Sequence, residues 1–311
     1  MGVSTFSFPG NGLVVETGGG RLRSVDPVTV DVTAATEFVF TNARVLERHR
    51  LATLLDHGPA EPVLTALAAY QNADGGFGHA LDPDVRCPGS QPSAALTALE
   101  ILAEIDARKH PLVESAVDWI ASIAAPDGGV PTVLPSALGH PRAPWMEPTP
   151  ESGFLTFGLA GRLYELGVQH EWLERATSWC WARIDRDGEV GGYTVKYALD
   201  FLDAVPDSDR ADAAMERLRP AFAADGTVAV SDGIEGEKLT PLQLSARTGL
   251  RSRRLLSEPL IDADLDRLQH EQRDDGGWDF DFLHWSPAQE LEWRGIVTLA
   301  ALRTLRAHRR L

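Results

Sequence analysis

Apolar residues recur at helical spacing over most of this chain. Leu96, Leu99 and Leu102 are three residues apart, and so are Ile296, Leu299 and Leu302, while Leu155, Leu159 and Leu163 are four apart. Either spacing gathers the side chains on one helix face. The pattern predicts helices from about Val45 onward, separated by Gly, Pro and Asp turns. Gly167 is placed to cap the helix of Leu155–Leu163, and Pro206 to stop the helix carrying Tyr197, Phe201 and Leu202. Residues 1–35 lack this periodicity. Gly10, Gly12 and the run Gly18-Gly19-Gly20 punctuate short β-prone pieces such as Leu13-Val14-Val15 and Val28-Thr29-Val30, which predicts an irregular arm ahead of a single domain over 36–311.

The turns themselves repeat. Gln71-Asn72-Ala73-Asp74-Gly75-Gly76-Phe77-Gly78 returns as Gln272-Arg273-Asp274-Asp275-Gly276-Gly277-Trp278-Asp279, with fainter copies at Asp127-Gly128-Gly129 and Val190-Gly191-Gly192-Tyr193. Small-residue helices follow, at Ser93–Leu99 and Gly295–Leu302. The longest gap between copies has room for one more degenerate unit, near Asp225-Gly226 or Asp232-Gly233. A period of about 50 residues suits one helical hairpin with its loop. Five or six such hairpins would close into an all-α (α/α) barrel, burying a continuous core that no single hairpin could bury.

Charge and cysteines narrow the setting. Acidic residues outnumber basic ones by 45 to 29 in 311 residues, for a formal charge of −16. Such a surface repels phosphate backbones, so nucleic acid is not an expected partner. Two cysteines, Cys87 and Cys180, make no disulfide framework and fit a reducing cytoplasm. No apolar run approaches the ~18 residues of a membrane span, and the first residues lack the pattern of a signal peptide.

The phrase Gln-x-x-Asp-Gly-Gly-Phe/Trp, followed by a loop and a small-residue helix, resembles the QW-type repeats of the terpene cyclase and protein prenyltransferase superfamily. The resemblance spans roughly residues 45–311 and is strongest in the first and last copies. It implies one helical barrel and a small hydrophobic, isoprenoid substrate. It also implies that the motif is mostly scaffold: the glycines turn the chain, the Gln caps a neighbouring helix, and Phe77 or Trp278 packs between repeats. Class II cyclases carry their proton donor in a D-x-D-D motif after such a repeat. Asp82-Pro83-Asp84 resembles its first half, with Val85 and Arg86 where the second half would stand. Protonating an alkene needs a carboxyl kept protonated by burial or by a second carboxylate. The alternative is that Asp82 and Asp84 cap a turn or pair with Arg86.

A second cluster, Trp278-Asp279-Phe280-Asp281-Phe282-Leu283-His284-Trp285, offers another Asp-x-Asp among aromatic rings. Asp279 and Asp281 are thus further acid candidates. Phe280, His284 and Trp285 are candidates to line a cation-stabilising wall or to fill the seam between repeats. Glu290 and Glu292 follow, pointing either inward or to solvent. Phe77, His79 and Trp278 border the two motifs. The proline-rich stretch 141–154 carries Trp145 and Glu147 as lid or pocket candidates. Lys196 beside Tyr193 and Tyr197, together with Arg86 and Arg142, is the available positive charge for a diphosphate.

No cofactor is expected. Zinc or magnesium is a lesser alternative: Asp84, Cys87, His79 and His284 supply ligand types, but Asp84-x-x-Cys87 departs from the prenyltransferase D-x-C, and Glu292 stands where that family has a His. Gly18-Gly19-Gly20 lacks a P-loop lysine, and no Gly-x-Ser-x-Gly elbow is present. Three readings remain: a terpene-cyclase-like enzyme that starts by carboxyl protonation, a non-catalytic isoprenoid- or partner-binding protein on the same scaffold, and a carbohydrate-acting (α/α) barrel enzyme with two carboxylates across a polar groove.

Overall fold

The computed structural model describes residues 29–186, 191–231 and 233–311. Twelve α-helices are present among them. They alternate between an outer and an inner position, which makes six hairpins. The outer helices are α1 (Val32–Asn42), α3 (Glu61–Ala68), α5 (Pro111–Ile123), α7 (Glu171–Ile184), α9 (Ser208–Leu218) and α11 (Glu258–His270). The inner helices are α2 (Val45–Asp56), α4 (Pro92–Glu104), α6 (Leu155–Glu165), α8 (Gly192–Ala204), α10 (Pro241–Leu244) and α12 (Pro287–Ala307). Neighbouring inner helices pack on each other, α4 on α6 and α6 on α8, and α12 packs on both α1 and α2 to close the ring. The one sheet among the described residues is a two-residue antiparallel pair, Val228–Ala229 with Lys238–Leu239.

Local chemistry accounts for the helix limits. Asp31 caps α1 by accepting from Ala34 N, at 2.9 Å. The helical part therefore starts before Val45, where the β-branched residues of α1 had obscured its period. At the end of α6, Gly167 adopts φ +73°, and Val168 N and Gly167 N donate back to Leu163 O and Tyr164 O, a left-handed cap that satisfies the last carbonyls. Helix α8 stops at Ala204, ahead of Pro206. The outer and inner helices bury the core between them. α6 and α8 approach especially closely at Gly158 and Gly161: a Cβ at Gly161 would lie 2.9 Å from Asp200 O.

Four of the turns share one geometry, with a glycine at positive φ: +89° at Gly75, +93° at Gly128, +78° at Gly226 and +87° at Gly276. In these four the preceding Asp accepts from the backbone N–H two residues on, as Asp74 does from Gly76, Asp127 from Gly129, Asp225 from Thr227 and Asp275 from Gly277. The faint copy at Gly191-Gly192 does not share the geometry, since Gly191 is the N-cap of α8 at φ −137° and Gly192 begins that helix at φ +51°. The copy at Asp225-Gly226 is the degenerate unit anticipated in the longest gap. Asp232, half of the other position considered, and Val190 of the third copy lie outside the described residues.

Each turn rests on the next outer helix. A Cβ at Gly75 would sit 2.7 Å from Ser115 O of α5, at Gly128 2.5 Å from Ala176 N of α7, and at Gly276 2.3 Å from Ala34 of α1. The second glycine of each pair lies under an aromatic ring of that same helix: Trp119 over Gly76, Trp179 over Gly129 and Phe38 over Gly277. At the closing seam the Gln272 side chain also exchanges hydrogen bonds with Asp31, donating to its carbonyl and accepting from its N–H, both at 2.8 Å.

Inner helix α10 is the exception in the ring. It has four residues where the other inner helices have 11 to 21. A Thr240/Gln243 capping box starts it, and the buried Asp264 of α11 accepts from Leu242 N at 2.7 Å.

Gly276→Ala should destabilise the protein by roughly 2–4 kcal/mol, because left-handed strain and a backbone clash act together. A urea midpoint equal to that of the parent would show that the closing seam tolerates a Cβ.

Candidate active site

Among the described residues, the loops that lead from outer to inner helices lie at one end of the ring, and the candidate chemistry lies there too. The loop 78–90 is held in an unusual shape. His79 and Ala80 are consecutive left-handed residues, at φ +55° and +58°, a conformation that costs free energy outside glycine. Three interactions hold it: His79 N donates to Cys87 O at 2.9 Å, and Arg44 Nη1 donates to both Ala80 O and Leu81 O at 3.0 Å. Arg44 is itself fixed to α2 by a two-pronged pair with the buried Glu47. The result is that the chain turns Asp82 and Asp84 inward, where they are 8% and 5% exposed.

Asp84 is the centre of the arrangement. Its Oδ1 accepts three hydrogen bonds, from Trp285 Nε1 (3.1 Å), Trp293 Nε1 (3.1 Å) and Gln289 Nε2 (3.2 Å). All three donors come from α12 or the loop entering it, more than 200 residues along the chain. Burial, and after it the neighbouring Asp82 carboxyl, push the Asp84 carboxyl up to about 6, while those three N–H groups pull it down. Asp82 Oδ1 accepts from Asp84 N at 2.9 Å. Burial raises the Asp82 carboxyl as well, opposed by the Ser93 hydroxyl, the Asp84 backbone N–H and the Arg44 guanidinium.

Arg86 is not the partner of this pair. Its guanidinium makes a two-pronged salt bridge to Glu292, at 2.8 and 3.1 Å. The alternative in which Arg86 neutralises Asp82 and Asp84 is therefore corrected: a carboxylate from α12 takes the guanidinium, and Glu292 points towards the loop rather than to open solvent. Asp82 does shape a turn, but it does so while buried beside a second carboxyl.

The stretch 131–154 wraps around this loop. Val85 and Arg142 pair as an antiparallel bridge, with Ala143 N donating to Asp84 O at 2.8 Å and Arg86 N to Pro141 O at 3.0 Å. Gln91 ties the same stretch down, accepting from Leu134 N and donating to Ser136 Oγ. Cys87, Val133, Ala143 and Met146 form a small apolar cluster here, with Trp285 packed on it. Trp145, 41% exposed, meets Phe282 edge to face at 6.1 Å, and Glu147 holds Arg142 at 2.7 and 2.8 Å.

A cavity of about 1180 Å³ is lined by Trp293, though not by Asp82 or Asp84 themselves. Its volume exceeds the ~300–1,000 Å³ of ordinary ligand pockets. Phe280, Phe282 and Trp293 form an aromatic group on its wall: Phe280 and Phe282 are 4.3 Å apart, and Trp293 meets Phe282 edge to face at 5.3 Å. Tyr193 and Tyr197 of α8 line another side, both stacked on Phe154. Where the inner ring is short at α10, outer-helix residues such as Arg267 and Leu268 reach the cavity. Trp293 links the two features, since its ring is part of the wall and its N–H binds Asp84.

The sequence-derived candidates divide accordingly. Tyr193, Lys196, Trp278, Asp279, Phe280, Asp281 and Phe282 all line the cavity. Asp82, Asp84, Trp285 and Glu292 gather just behind that wall. Phe77 is fully buried in the core, as its motif implies. His79 is exposed and its Nε2 pairs with Asn72 Oδ1. His284 stacks on Phe280 at 4.1 Å and lies near Asp279 and Glu290. Cys180 is buried, with its thiol pushed well up by desolvation, as expected of a core cysteine. Lys196, Arg86 and Arg142, the cations considered for a diphosphate, are each in an ion pair: with Asp200, Glu292 and Glu147. Sequence reasoning missed Trp293 and Gln289. The only signal was their spacing of four on α12, which puts positions 289 and 293 on one helix face.

No family model and no curated protein sequence matches the chain. Among solved structures it is similar to the type II terpene cyclase MstE from Scytonema without ligand, at 14% identity and a TM-score of 0.49, covering 90% of this chain and 97% of that one. A variant of the same cyclase gives equal identity and TM-score over 96% of its length. At this identity the likeness does not extend to the chemistry of the site.

Trp293→Phe removes a donor that stabilises the ionised form, so the Asp84 carboxyl should titrate above about 6. The Trp285 indole N–H resonance, followed against pH, reads this directly, and an unchanged midpoint would refute the clamp. A raised carboxyl also links folding to pH. Its contribution to stability is fully present below the ordinary carboxylate range and is lost as pH rises through about 6. Unfolding free energy measured across that range should therefore fall less in Asp84→Asn than in the parent.

Proposed function

We propose that this protein is a terpene-cyclase-like enzyme that acts on a linear isoprenoid by protonating an alkene. The observation that carries the reading is the state of Asp84: a buried carboxyl, raised to about 6 beside a second carboxyl, with three N–H donors on one oxygen. These features serve a general acid in two ways. Burial and Asp82 keep the proton on at the start of the reaction. The three donors, already in place on Oδ1, leave Oδ2 as the oxygen that carries the proton, and they stabilise the carboxylate left behind when it departs.

In the proposed step, the alkene π pair forms a C–H bond with the Asp84 proton, and the O–H pair stays on the carboxylate. The adjacent carbon becomes a tertiary cation, and internal alkenes attack it in turn. Phe280, Phe282 and Trp293 present ring faces or edges to that path, and a ring face attracts a cation by about 0.5–2 kcal/mol. Loss of a proton from the last cation restores neutrality, and Asp84 is reloaded from solvent. In this reading the Trp293 ring, which stands between the cavity and Asp84, must shift for the alkene to reach the acid. The half-length Asp-x-Asp motif is sufficient in this reading, because α12 supplies the polar groups that surround the acid.

Incubation with linear isoprenoids, followed by product analysis, tests the proposal. Cyclised product is expected, with turnover falling as pH rises through about 6 because the acid form is consumed. Asp84→Asn should lower turnover by at least about 100-fold while circular dichroism stays unchanged. Retained activity in that variant would remove Asp84 from the role. A bound but unaltered isoprenoid would favour a carrier, and neither binding nor turnover would redirect the search to oligosaccharides.

A further inference from the structure

The charges around the cavity discriminate among isoprenoids. Six carboxylates line it: Glu100, Glu271, Asp274, Asp275, Asp279 and Asp281. Three cations do: Lys196, Arg267 and Arg273. Carboxylates thus outnumber cations on the wall, even though Asp275 is held by Arg294 at 2.8 Å. The cations are also engaged. Lys196 Nζ lies 3.4 Å from Asp200 and 4.4 Å above the Tyr197 ring. Arg267 holds the buried Asp264 at 2.6 Å and also pairs with Glu271. Arg273 pairs with Asp279 at 3.0 Å. Asp274 and Asp281 are exposed and, among the described residues, have no cation within ion-pairing distance.

We infer that the cavity takes an isoprenoid with an uncharged head, a hydrocarbon or an alcohol, and rejects the corresponding diphosphate. The inference rests on the isoprenoid reading of the cavity and adds the chemistry of the head group. A diphosphate entering here would meet like charge at the mouth and would have to break existing ion pairs to gain a counter-charge. Arg267 is least available of the three, since freeing it would leave Asp264 buried without its cation while that carboxylate caps α10. An alcohol makes no such demand, and exposed carboxylates accept its hydroxyl hydrogen bond. The Tyr193 hydroxyl, 3.4 Å from Glu237, adds a polar group to the lining without adding positive charge.

The test compares geranylgeraniol with geranylgeranyl diphosphate, equal in chain and different in head, for binding to the full-length protein by calorimetry, with and without magnesium. The alcohol is expected to bind at least about tenfold more tightly. The double variant Asp274→Lys/Asp281→Lys, altered at two exposed positions, should narrow that gap by strengthening the diphosphate alone, and its circular dichroism reports whether it is folded. Equal or tighter binding of the diphosphate to the parent would overturn the inference and leave the isoprenoid reading standing. If neither compound binds, the isoprenoid reading itself falls, and the inference with it.

Discussion

The docking of each glycine turn on the next outer helix is the constraint from which the rest of the molecule follows. A turn with positive φ brings bare backbone against Ser115, Arg175 or Ala34, at distances no side chain would permit. The paired aromatic ring above it, Trp119, Trp179 or Phe38, fills the space that the second glycine leaves. Repeating this contact sets the angle between successive hairpins. It also places the described outer-to-inner loops at the same end of the ring. The acid loop, the wrapping stretch 131–154 and the aromatic loop 278–286 meet because they leave neighbouring or closing seams of one scaffold.

Within that frame the acid pair is a balance between two opposing influences. Burial and mutual repulsion favour the protonated form, and hydrogen bonds from two indoles and an amide favour the ionised one. Neither influence is free to dominate. Without burial, three donors would make Asp84 an ordinary anion; without donors, a carboxyl this enclosed would hold its proton too firmly to give it up. The Arg86–Glu292 bridge gives the Arg86 guanidinium another partner while tying the acid loop to α12, and the cation that acts on Asp82 is Arg44. Even the strained pair His79 and Ala80 has a place in it, since Arg44 holds the turn that sends Asp82 inward.

Much of the fold was legible because repetition is a local signal. The Asp-Gly-Gly turns, the helical stripes and the left-handed cap at Gly167 are all written within a few residues. α1 was not, since Val32, Thr33, Val39 and Thr41 blur its period and its stability comes from docking on α12. The site was legible in its acids and in most of its aromatic wall. What surrounds the acids was not, because it is assembled across the ring closure: Trp285, Gln289 and Trp293 lie more than 200 residues from Asp84. The pairing of Arg86 with Glu292 is hidden for the same reason, and adjacency in sequence pointed instead to Asp84.

The contact between Gln272 and Asp31 joins residues 241 positions apart, and it repeats the kind of seam found elsewhere in the ring. An open solenoid can fold from any point and fray from its ends. Here the first helix has no turn to rest on until the last hairpin has been made, and the acid site is incomplete until the same moment. Folding must therefore finish with a long-range closure, which loop entropy makes slow, and a chain still emerging during synthesis would hold α1 with its docking face uncovered until almost the whole sequence is available.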